Sequence, residues 1–131
     1  MSSCKKVLLK SKLKEYLQVD KDGITLNANG IHSNVRSSFF IQQMEEDLIT
    51  LQSLPFSTYI SDSANGLELT EAANDFLLND TMFSVVPKSN GTFFLKSHNS
   101  KYIFADENGD VLKSENSIED GTWSHECLMG N

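Results

Sequence analysis

The sequence is poor in proline, tryptophan, cysteine and histidine, with two, one, two and three respectively among 131 residues. With 39% hydrophobic residues and eight phenylalanines beside so few prolines, it does not have the composition of a disordered chain. No apolar run lasts more than a few residues, which excludes a membrane-spanning helix. The opening MSSCKKVLLKSK holds no signal-like apolar stretch, because Lys10 interrupts it, and Ser2 is not a myristoylation acceptor. A cytoplasmic protein is the expectation. Cys4 and Cys127 lie near opposite ends, where a fold closing on itself would bring them together. In a cytoplasmic chain the prediction is nevertheless two reduced, unpaired thiols. Basic residues are scarce as well: none occurs between Ser37 and Pro87, and the net charge is −7. That balance argues against nucleic-acid binding, which needs cations to neutralise phosphates.

What is present in quantity is repetition. Tyr16, Tyr59 and Tyr102 are 43 residues apart, and so are Gly23, Gly66 and Gly109. The stretches VLLKSKLKEYLQVDKDGITL, ITLQSLPFSTYISDSANGLEL and FFLKSHNSKYIFADENGDVL share one grammar, the second with an extra residue in its bend. Each begins with an apolar strand and a polar bend. A Tyr-led strand, a Gly-containing turn and a third strand follow, and a fourth strand closes the unit. Asp22-Gly23 is predicted as a tight two-residue turn of type I′, and Asn65-Gly66 and Asn108-Gly109 as turns at the same place in the later units. Residues 71–78, reading EAANDFLL, are the one place where a helical turn is expected.

Three such units of about 5–47, 48–90 and 91–131 cannot each bury their own apolar face. Arranged about an axis they can, and closure removes exposed strand edges. The sequence therefore predicts one all-β domain over 1–131, a β-trefoil of about twelve strands with a closed barrel and a hairpin cap. The predicted core is Leu9, Leu17, Leu26 and Phe40; Leu51, Ile60, Leu69 and Phe83; and Leu95, Ile103, Leu112 and Trp123.

The wording of the third unit, Leu95-Lys96-Ser97 followed by Lys101-Tyr102-Ile103, Ala105-Asp106 and Asn108-Gly109, resembles the repeat phrase of the fascins. It is also similar to that of the hisactophilins. The first unit keeps Leu9-Lys10-Ser11 and Tyr16-Leu17, and the second keeps Gln52-Ser53, Tyr59-Ile60 and Gly66. The resemblance implies a β-trefoil, no catalysis and filamentous actin as a partner. The phrase departs from the family where its usual glycine is Lys14 or Ser100. Fascins carry several trefoils, so a lone monomeric unit is not expected to bundle filaments. Three histidines are too few for a histidine-driven pH switch.

Other chemistry finds little support. His32, His98 and His125 fall in different units without ligand spacing, and no C-x-x-C or calcium loop is present, so neither metal nor cofactor is expected. Asp20-Lys21-Asp22-Gly23 lacks the distal acid of a calcium loop, Asn29 standing there instead. The carboxylates fall mostly in bends and turns, where solvated charge is the default. For an actin partner, the contact set is Lys10, Lys12, Lys14, Lys96, His98 and Lys101, a basic patch meeting an acidic filament. The alternative is a loop-mediated trefoil binding a glycan or inhibiting a hydrolase, through residues 27–38, 71–81 or 115–121.

Overall fold

The computed structural model describes residues 4–32, 34–64, 66–71 and 79–128. These form twelve strands: β1 (Lys6–Ser11), β2 (Tyr16–Val19), β3 (Leu26–Gly30), β4 (Ser38–Glu45), β5 (Leu48–Ser53), β6 (Tyr59–Ser63), β7 (Gly66–Thr70), β8 (Met82–Pro87), β9 (Phe93–Ser97), β10 (Tyr102–Ala105), β11 (Val111–Ser114) and β12 (Trp123–Cys127). Antiparallel pairing carries β1 to β4, then to β5, β8, β9 and β12, and β12 returns to β1. Six strands thus close a ring. The hairpins β2–β3, β6–β7 and β10–β11 attach to it through β1, β5 and β9. This is a β-trefoil.

The threefold order is fixed by chemistry repeated at the ring. Ser11 pairs with Trp123, Ser53 with Phe39 and Ser97 with Phe83. Among the described residues Trp123, Phe39 and Phe83 are the largest fully buried side chains, and a small serine opposite each leaves room for the ring. The Trp123 indole nitrogen donates to the Ile103 carbonyl at 2.9 Å, so its one polar atom is satisfied inside the core. Leu9, Leu17, Leu51, Ile60, Leu95 and Ile103 join these rings, as the sequence predicts.

Two predicted core positions are displaced by one residue. Phe39, not Phe40, is buried, and Val111 packs against the core while Leu112 is 42% exposed. Facing alternates along a strand, so Phe39 and Ile41 share the inner side and Phe40 takes the outer one. On β11 the residue opposite buried Ala105 is Val111. Leu26 and Leu69 flank the core only partly buried.

The turns also differ from expectation. Only glycine adopts positive φ at Gly23 (71°) and Gly109 (79°); the residues before them do not. In the third unit the Gly109 amide donates to the Asp106 carbonyl and the Asp106 amide to the Asp110 carbonyl, so three residues span the turn. That is a type I turn closed by a left-handed glycine rather than a type I′ pair. A side chain at Gly109 would also overlap the Asn29 amide group. In the second unit Ser63 pairs directly with Gly66, and Asn65 lies outside the described residues. So does most of the expected helical turn, from Ala72 to Leu78.

Cys4 and Cys127 form a disulfide, their Cα atoms 5.7 Å apart, which corrects the expectation of free thiols. It joins the approach to β1 to the end of β12, where Val7 pairs with Cys127. Among the described residues no helix is long and apolar enough to cross a membrane.

Candidate functional site

Each unit bends between its first two strands in the same way. The amides of Ser11, Ser53 and Ser97 take the carbonyls of Glu15, Thr58 and Lys101. Lys14, Ser57 and Ser100, spaced 43 residues apart, all take left-handed φ of 72°, 59° and 63°. This is the position where the resembled phrase carries glycine, and here non-glycine residues adopt the conformation that glycine favours. The residue just before it, Leu13, Phe56 or Asn99, meets the hairpin of the preceding unit.

Two of these three junctions are filled. Phe56 lies over Gly23, so close that an added Cβ there would stand 3.2 Å from the ring. Asn99 donates its side-chain amide to the Asp62 carbonyl at 3.1 Å, and Lys113 donates to the Asp62 carboxylate at 2.7 Å. Asp62 has no exposed surface at all, although it occupies the repeat position of the apolar Val19 and Ala105. Burial pushes its carboxyl up, but hydrogen bonds from Lys113, Ser97 and Asn99 outweigh that and hold it below the usual range. The expectation of solvated acids fails at this residue. An apolar strand position was filled by a carboxylate with its own cation.

The third junction is open. Leu13 faces the third hairpin across a cleft of about 340 Å³ lined by Phe104, Ala105, Asp106, Glu107, Asn108, Ile118 and Asp120. Leu13 and Ile118 remain 47% and 37% exposed. The lining thus combines apolar Leu13, Phe104, Ala105 and Ile118 with the acidic residues Asp106, Glu107 and Asp120. One oxygen of Asp106 is committed to the turn, accepting the amides of Asn108 and Asp110 at 2.9 Å each. Lys12 and Lys14, both exposed, precede and follow Leu13 in the chain.

The structure does not gather the six sequence-chosen residues into one patch. Lys10 and Lys96 sit on strands separated by β12, each ammonium over the tyrosine of its own hairpin, 5.7 Å from Tyr16 and 5.3 Å from Tyr102. Lys101 pairs with Glu115 at 2.9 Å, and His98 with Asp80 at 2.7 Å. Lys12 and Lys14 remain as exposed cations beside the cleft. Near Lys10, the Tyr16 hydroxyl donates to Glu126 at 2.5 Å, and His32 stands 3.4 Å from the same carboxylate. The hydrogen bond to Glu126, with burial and that carboxylate's charge, pushes the Tyr16 hydroxyl up to about 12. That cluster is internally satisfied and holds β12 against β2.

Known proteins give a fold and nothing finer. The chain is similar to the designed threefold-symmetric protein ThreeFoil, with a TM-score of 0.78 at 10% identity, over 94% of this chain and 99% of that one. No family model and no curated protein sequence matches it. The open junction escaped sequence reading because it is defined by difference. The signal was available in the trio Leu13, Phe56 and Asn99, one repeat position holding three unlike residues.

Proposed function

We propose that the chain is a non-catalytic, fascin-like binding module that engages a protein partner, filamentous actin, through Lys12-Leu13-Lys14 and the cleft beneath. The observation that carries this reading is Leu13, 47% exposed between two exposed lysines, whereas Phe56 at the same repeat position is committed to a neighbouring hairpin. The repeat phrase shared with fascins supports the choice of partner. A partner inserts an apolar side chain against Leu13, Phe104 and Ile118 and meets the lysines with its acids. With a net charge of −7, the chain as a whole repels an acidic filament, so attraction through these lysines is weak and strongly screened. A single contact of this kind decorates filaments without bundling them.

Cosedimentation with filamentous actin tests it. The protein is expected to pellet at about 0.01 M salt and to release towards 0.1 M, as the Debye length falls from about 30 Å to about 10 Å. Lys12→Glu with Lys14→Glu abolishes pelleting. Protein that stays in the supernatant at low salt overturns the actin assignment. The carboxylates Asp106, Glu107 and Asp120 favour a second reading, a hydroxyl-rich glycan bound in the same cleft. A glycan array on which Asp120→Ala changes nothing rejects it.

A further inference from the structure

We infer that Cys4, His125 and Cys127 form a redox-gated site for a thiophilic metal ion, zinc(II) or copper(I), closed as a disulfide in one state and open as a metal clasp in the other. Their ligand atoms lie within 4.8 Å of one another. The placement follows from strand geometry. His125 and Cys127 are two residues apart on β12, and side chains at i and i+2 leave a strand on the same face. Pairing of Leu9 with His125 and Val7 with Cys127 brings the approach to β1, and with it Cys4, alongside.

Two thiolates and one imidazole make a soft donor set, suited to zinc or copper(I) over magnesium or calcium. Zinc bonds of about 2.3 Å to sulfur and 2.0 Å to nitrogen set ligand separations of about 3.5–3.8 Å, so shifts of about 1 Å complete the site. Cys127 is exposed, and a smaller cleft of about 230 Å³ between Phe93, Thr92 and Pro87 reaches His125. Water or a small ligand therefore has access to a fourth position. The conversion balances with a dithiol as reductant. It transfers two electrons and two protons to the Cys4–Cys127 bond, leaving two thiols and its own cyclic disulfide. Metal binding then displaces both thiol protons. In either state the ends of the twelve-stranded fold stay tied, so metal occupancy reports redox state without opening the barrel seam.

The test uses the full chain, oxidised or reduced with a phosphine, titrated with zinc(II) against a chromophoric chelator and with cobalt(II) as a spectroscopic probe. The reduced chain is expected to take one ion with release of two protons, at least tenfold more tightly than the oxidised chain. Cobalt gives a thiolate charge-transfer band, which Cys4→Ser and Cys127→Ser both remove. His125→Gln weakens zinc binding at least tenfold. Trp123 fluorescence confirms that each variant is folded. Equal zinc affinity in the two redox states, a cobalt band surviving in either serine variant, or an unchanged affinity in His125→Gln overturns the site.

Discussion

The junction at Phe56 and the junction at Leu13 are the same place in two units, and they have opposite fates. At the first, an aromatic ring covers a left-handed glycine and the two units are sealed together. At the second, a smaller, exposed leucine stands across an unfilled cleft beside three carboxylates. At the third position, Asn99, a polar side chain joins a buried ion pair. A symmetric fold needs the bend and its hydrogen bonds in all three units. It does not need the same filling, and one unit leaves its junction unpacked and open to solvent.

Substitutions can break this contrast, and the largest effect is expected at the polar junction. Lys113→Met leaves Asp62 buried without its cation and costs about 3 kcal/mol. This is the low end for removing one member of a buried pair, since Lys113 is itself partly exposed. Denaturant unfolding at neutral pH measures it. The sign with pH follows from Asp62, whose folded carboxyl is held below its ordinary range. Its contribution is present above the unfolded carboxylate range and is lost as pH falls through the folded value. The acid side of the stability profile is therefore steeper in the native chain than in Lys113→Met.

Next comes Phe56→Ala, expected to cost about 2 kcal/mol. That is less than for a fully buried ring, because Phe56 is only partly covered. It also opens a second cleft. Gly23→Ala, which forces a side chain into φ of 71° and against the Phe56 ring, costs about 1 kcal/mol by thermal unfolding. Leu13→Ala is expected to change stability by less than about 0.5 kcal/mol. If its unfolding midpoint falls as far as that of Phe56→Ala, the cleft belongs to the core and the contrast between junctions disappears.

Much of the fold was legible because repetition leaves independent marks. The tyrosine and glycine spacings imply three units, and the left-handed Lys14, Ser57 and Ser100 carry the same 43-residue period in the backbone. Facing was harder to read. Phe39 and Phe40 are identical in type, and a constant period selects Phe40. The extra residue in the second bend makes Phe39 the true counterpart of Phe83. Asp62 was unreadable for another reason. A buried carboxylate is tolerable only with a cation placed by the fold, and Lys113 lies 51 residues away in sequence. The binding candidates were legible only in part. Residue type identified the lysines, but whether an ammonium is free, stacked on a tyrosine or paired depends on its neighbours in space.

The tie between Cys4 and Cys127 has a consequence for how the molecule assembles. The Phe56 and Asn99 junctions join points roughly 35 residues apart along the chain, whereas the Leu13 junction joins points roughly 90 apart. Closing the longer loop costs only about 0.8 kcal/mol more, but the search is longer and that seam forms last in a reduced chain. Through the bridge, the route from Leu13 to Phe104 shrinks to roughly 30 residues, about the same as the others. An oxidised chain thus refolds as a ring with three nearly equal steps, and its refolding rate should exceed that of the reduced chain. The bond that corrected the sequence reading restores to folding the threefold symmetry that a linear chain lacks.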